Sequence, residues 1–160
     1  MIVPWSPEYQ PFFESLNREW LERSFTVEPR DVAYFDDPAG TILKPGGAIF
    51  FAVEDGTPVG TVAAIRRDEE AFEMAKMAVT PSRQGRGYGR ALAEAVVRHA
   101  TQAGAKRVLL LTDSKLPSAV RLYERLGFRR VAGPGVSGYA RGDVQMRLDL
   151  PARAPVDRPN

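Results

Sequence analysis

The chain has 160 residues, 44 % of them hydrophobic and 26 % charged, which are the proportions of one globular domain with room for a real core. It contains no cysteine, and this excludes disulfides, thiolate metal sites and a cysteine nucleophile. The net charge of +2 is spread thinly, without the concentrated basic face that nucleic-acid binding needs.

The pairs Arg66-Arg67 and Arg129-Arg130 are expected to be solvated loop or strand-end charges. No run approaches the roughly 18 apolar residues of a membrane span. The opening Met1-Ile2-Val3-Pro4-Trp5 lacks the basic flank and apolar stretch of a signal peptide. A cytoplasmic location, with neither nucleic acid nor membrane as partner, is the expectation.

In chain order, a first helix is predicted over residues 7–23. Phe12, Phe13, Leu16, Trp20 and Leu21 recur there at helical spacing, with Ser6 and Pro7 as cap and first residue. A short second helix follows over 29–35, and the proline- and glycine-rich stretch 36–47 reads as a loop. Residues 48–53 and 58–65 form a hairpin around the turn signal Asp55-Gly56. A third strand, 72–79, completes a meander that Pro81 ends. Residues 87–103 are a long helix with an apolar stripe through Ala91, Leu92, Ala95, Val96, Ala100 and Ala103, stopped at Gly104.

Residues 107–112 are a short apolar strand of the kind that lies between covered faces. A helix over 116–126 ends at Gly127, and strands 128–132 and 144–150 flank a glycine-rich loop. The expected fold is α/β in the α+β sense. It has a mixed sheet, a β-α-β unit following a meander, and helices on the faces. It is one domain over residues 1–150. Residues 151–160, with three prolines and little apolar content, are expected to be disordered.

The chemically informative segment is Gln84-Gly85-Arg86-Gly87-Tyr88-Gly89-Arg90, placed between the end of a strand and the start of a long helix. A helix start carries unpaired N–H groups and partial positive charge, and glycines let an anion approach the backbone. Strand, glycine loop and helix start together make a phosphate site, and Arg83, Arg86 and Arg90 add cations suited to a pyrophosphate. The dinucleotide pattern fails because Arg90 stands where its third glycine belongs. The P-loop pattern is absent. A plain glycine-rich turn is the alternative.

Gln84-x-x-Gly87-x-Gly89 resembles the Q/R-x-x-G-x-G/A signature of the GNAT superfamily of N-acetyltransferases. The resemblance extends to the preceding strand, Glu73-Met74-Ala75-Lys76-Met77-Ala78-Val79, and to Ala119-Val120-Arg121-Leu122-Tyr123-Glu124-Arg125-Leu126-Gly127-Phe128, so it covers about residues 48–132. It implies a central, mostly antiparallel sheet with a β-α-β-α-β unit. It also implies acetyl-coenzyme A as co-substrate and direct attack of a primary amine on the thioester in a ternary complex. Met77, Ala78 and Val79 would pair with the pantetheine arm as an added strand, one of their N–H groups polarising the thioester carbonyl. Gln84, Gly85, Arg86, Gly87, Tyr88, Gly89 and Arg90 would hold the pyrophosphate. A metal is not expected, and the family admits a homodimer.

Two side chains follow as catalytic candidates from the same resemblance. Tyr123 matches the tyrosine of the L-Y-x-x-x-G-F motif and would protonate the departing thiolate; the alternative is a tyrosine packed in the core. Glu73 would take the amine's proton; the alternative is a strand carboxylate paired with Lys76, Arg66 or Arg67. Two positions depart from the family. Leu116 stands where many members have an asparagine, which leaves that coenzyme contact open, and Leu111 stands where some have a glutamate, although Asp113 lies just beyond that strand. His99, the one histidine, is expected to be structural.

For the acceptor, the resemblance points to residues 17–37 and 133–142 as walls. Glu28 and Asp31, with Asp36 and Asp37, could hold a cationic amine or be a solvated acidic surface. Arg30 or Arg141 could hold a carboxylate. A non-catalytic acyl-coenzyme A binding module of the same fold, and a protein binding another phosphate ligand, are the competing readings.

Overall fold

The computed structural model describes residues 1–25, 27–132 and 143–151. Loop 133–142, with Arg141, and tail 152–160 lie outside the described residues. The strands are β1 (Ile2–Pro4), β2 (Ala48–Glu54), β3 (Thr57–Arg66), β4 (Ala71–Val79), β5 (Arg107–Thr112), β6 (Arg129–Val131) and β7 (Val144–Asp149). They form one sheet in the order β1-β2-β3-β4-β5-β7-β6. All neighbours are antiparallel except β4 and β5. That parallel pair needs a crossover, which α3 (Tyr88–Gln102) supplies. The other helices are α1 (Gln10–Ser24), α2 (Pro29–Asp36) and α4 (Pro117–Arg125).

Most predicted elements stand within one to three residues of their places, and three features differ. The N-terminal residues form β1, paired with β2 from Ile2↔Ala52 to Pro4↔Phe50; three residues ending in proline are too short for a periodic signal. The first helix opens with a 3-10 turn at Pro7–Tyr9 before α1 begins, and the Ser6 side chain makes no capping bond. The stretch read as a loop contains a π-helical turn, Ala39–Leu43, which buries Ile42 completely.

The hairpin turn behaves as its sequence dictates, since Asp55 and Gly56 both take positive φ, 51° and 77°, as a tight two-residue connection requires. Alternation along the strands splits the core into two layers. Phe72, Met74, Leu92, Val96, Val108 and Leu110 pack between the sheet and the α3/α4 side. Phe13, Leu21, Phe35, Ile49, Phe51 and Ile65 pack between the sheet and the α1/α2 side. Phe13, Phe35, Phe51 and Phe72 are essentially inaccessible to solvent, and truncating a phenylalanine in such a place costs about 3–5 kcal/mol. His99 sits at the edge of the first layer, edge-on to Phe72 at 5.2 Å, its Nε2 3.2 Å from the Gly46 carbonyl oxygen. Among the described residues no helix is long and apolar enough to cross a membrane.

The feature that creates a site is the parting of β4 from β5. Their pairing runs only from Ala71↔Arg107 to Glu73↔Leu109. Beyond Glu73 the strands diverge, and β4 bulges. Ala63 pairs with Ala75 and Thr61 with Ala78, so β4 carries one residue more than β3 over this span. The extra residue is absorbed at Lys76, whose φ is 55°. Ala75 and Lys76 consequently both face the α1/α2 side, Ala75 against the core layer there and Lys76 against Asp31 of α2. A bulge that redirects a strand beside a cleft is a recurring device.

Candidate active site

The diverging strands enclose a cavity of about 480 Å³, within the range of small-molecule sites. Its walls come from both faces of the sheet. Asn17, Trp20, Leu21 and Phe25 line it from the α1 side, and Leu122 and Tyr123 from α4. Glu73 stands at the vertex, the last β4 residue paired with β5. Met77, Ala78 and Val79 form one rim, and Leu111, Thr112, Asp113 and Lys115 the other.

The cradle lies at one end of this cavity. Gly85 and Gly87 have φ of 78° and 86°, and a Cβ added at either would meet nothing within 4 Å. The backbone there is left-handed and open in front, as a loop that admits an anion must be. Gly87 is the N-cap of α3, a helix of 15 residues, and the first N–H groups of such a helix have no partner within it. Gln84 ties the loop to the strand, its Nε2 donating to the Val79 carbonyl at 3.2 Å.

The cradle arginines are organised by a residue that the sequence did not single out. Glu54, at the end of β2, accepts from Arg83 Nε at 2.9 Å and from the Tyr88 hydroxyl at 2.6 Å, and lies 3.7 Å from Arg86. The Tyr88 hydrogen bond, followed by Arg83 and Arg86, holds the Glu54 carboxyl below its usual range. The same contact with Glu54, followed by burial, pushes the Tyr88 phenol up. Glu54 directly precedes the Asp55-Gly56 turn. Its proximity to residues 83–88 follows only from the sheet register, so no local signal marks it.

Tyr123 projects from α4 into the cavity. Its hydroxyl points at Met77 Sδ, 3.9 Å away, and its ring lies edge-on to Phe128 at 6.0 Å. Burial pushes the phenol up to about 12. It therefore carries its proton across the neutral range, as an acid must. The packing that holds the ring also aims the hydroxyl at Met77.

Glu73 is 2 % exposed and is ion-paired with Arg67, the last of the three partners its sequence context offered. Arg67 is thus not a free surface charge. Arg129 and Arg130, by contrast, are exposed and paired with Asp149 and Glu124. Glu28 and Asp31 do not reach the cavity. They form the capping box at the start of α2, the Glu28 N–H donating to Asp31 Oδ2 at 2.9 Å. Asp31 is fully buried and ion-paired with Lys76, whose ammonium also stands 5.5 Å from the Tyr34 ring centre. Lys76 is a cavity residue without a sequence signal, since only the bulge turns it to this side. Leu116, in the place of the expected asparagine, lines the cavity with an apolar surface. Among the described residues no cluster of histidine, aspartate and glutamate side chains could hold a metal ion.

A family model described as the acetyltransferase (GNAT) family matches residues 9–128. The chain belongs to the GNAT acetyltransferase family. Among its relatives, an N-acetylaspartate synthetase of Danio rerio is 35 % identical over an alignment of 126 residues that covers 76 % of this chain and 45 % of that protein. The chain thus spans less than half the length of this relative. Among solved structures, a GNAT-family acetyltransferase from Staphylococcus aureus Mu50 superposes with a TM-score of 0.85 at 18 % identity, covering 94 % of this chain and 99 % of that one. A phosphinothricin acetyltransferase from Sinorhizobium meliloti, solved with acetyl-coenzyme A, does so at 0.75 and 18 % identity, covering 100 % and 92 %. These two likenesses concern the fold.

Proposed function

We propose that the protein transfers an acetyl group from acetyl-coenzyme A to a primary amine, both substrates being bound at once. The observation that carries this reading is the cavity between β4 and β5. It brings a protonated tyrosine and two carboxylates to one cavity, which Gln84 of the glycine loop borders.

Each part of the chain has a task in that reaction. The loop from Gln84 to Arg90 and the start of α3 would hold the pyrophosphate, with Arg86 and Arg90 as countercharges. The free edge of Met77, Ala78 and Val79, which β5 leaves unpaired, offers backbone groups to an extended amide-containing arm. The coenzyme supplies an activated thioester. Burial in the cavity excludes water from it. The Tyr123 hydroxyl then gives its proton to the sulfur as the C–S bond breaks. The incoming nitrogen forms the C–N bond, and the proton it sheds restores the phenol through the carboxylate side of the cavity.

Acetyl-coenzyme A at a hundred times its dissociation constant should raise stability by about 2.7 kcal/mol, readable as a higher melting temperature, while ATP and NAD leave it unmoved. Thiol release in the presence of an amine panel should follow. No stabilisation by acetyl-coenzyme A removes the reading, and stabilisation without turnover on any amine reduces it to a binding module.

A further inference from the structure

The two carboxylates in the cavity are not equivalent. Glu73 already faces the Arg67 guanidinium. Asp113 is 9 % exposed, and among the described residues no cation pairs with it. Its Oδ1 accepts the backbone N–H of Lys115 at 2.9 Å. Among the described residues its Oδ2 has no such partner, and Asp113 is one of the residues that line the cavity. A buried carboxylate costs several kcal/mol unless its charge is matched, which makes this oxygen a seat for a cation.

A matching seat for the opposite charge stands two residues on. Lys115 also lines the cavity and enters no ion pair among the described residues. Its ammonium lies 5.6 Å from the centre of the Phe25 ring across the mouth. The turn that carries both side chains is rigid. Ser114 donates to Asp143 through its N–H at 2.8 Å and its hydroxyl at 2.6 Å, and the Leu116 N–H donates to the Asp113 carbonyl at 2.9 Å. A pinned turn therefore presents one negative and one positive group to the same cavity, beside the apolar wall of Trp20, Leu21 and Phe25.

We infer that the acceptor is a free α-amino acid, its ammonium seated on Asp113 and its carboxylate on Lys115. This rests on the acetyl-transfer reading for its chemistry but not for its binding. Asp113 would hold the ammonium and pass its proton to solvent. The uncharged nitrogen then forms the amide bond as described above, so Asp113 fixes which amine reacts. The class excludes the α-amine of a protein chain, which has no carboxylate beside it.

The test is calorimetric titration of the chain with leucine and phenylalanine, chosen for the apolar wall, and with their amides. Thiol release from acetyl-coenzyme A is then measured with the same four amines. Each amino acid should bind about tenfold more tightly than its amide. Lys115→Ala should erase that difference by weakening the amino acids alone, and Asp113→Asn, which keeps the bond to the Lys115 N–H, should weaken all four. Amides that bind as well as the acids, or a Lys115→Ala protein that loses both alike, overturn the inference. Amides acetylated as well as the acids overturn it while leaving acetyl transfer standing. If no amine releases thiol, acetyl transfer falls, and the calorimetry alone decides the ammonium–carboxylate pair.

Discussion

On the proposed reading, Tyr123 would serve packing and chemistry at once. Its phenol, pushed from 10.0 to about 12 by burial, stays protonated wherever the enzyme would work. Tyr123→Phe should therefore lower kcat by on the order of 100-fold with little change in acetyl-coenzyme A affinity, measured by steady-state kinetics and equilibrium titration. The shift also has a stability consequence. The folded pKa lies above the unfolded one, so the folded state binds the proton more tightly. That contribution is whole below pH 10 and is lost as pH rises from 10 to about 12. Melting curves of Tyr123→Phe should lack this alkaline loss. Tyr123 was legible because its motif is local. The partner of Glu73 was not, because Lys76, Arg66 and Arg67 were all near in sequence and only the turn at residues 67–70 decided among them.

Two elements carry the site, the bulged end of β4 and the start of α3. The bulge turns Lys76 into a place where it is 4 % exposed and paired with a fully buried Asp31, thereby tying α2 to the edge of the cavity. Lys76→Met removes the ammonium from this buried pair and should lower stability by on the order of 3 kcal/mol, measurable as a shifted urea midpoint at unchanged slope. The bulge lies beyond Glu73, so it leaves that side chain pointing as simple alternation from Ala75 requires. No sequence period announces a bulge, since one inserted residue looks like any other strand residue. The start of α3 was fully legible, as glycine spacing before an apolar helix needs only local rules. At Gly87 space is free but φ is 86°, so Gly87→Ala costs about 1–2 kcal/mol in the present backbone. It should weaken acetyl-coenzyme A binding about tenfold as the loop retreats to an ordinary conformation, read by titration of the variant against the parent protein.

At the scale of the whole molecule, element order was readable because helical and strand periods alternate cleanly between turn signals. Strand pairing at the edge was not. β1 adds to β2 through three residues, a contact made by the sheet rather than announced by the segment. The parting of β4 and β5 was likewise invisible. Each reads as an ordinary strand, and their separation past Glu73 is a property of the pair.

That parting makes an opening through the sheet, and its two ends are built from different stretches of chain. One end draws on Met77 to Val79, Gln84, Leu122 and Tyr123, the opposite end on Asn17, Trp20, Leu21, Phe25 and Leu111 to Asp113. On the proposed reading, the end that would choose the amine and the end that would hold the donor lie on separate stretches of chain, so a lineage could exchange acceptors while keeping a single acetyl source.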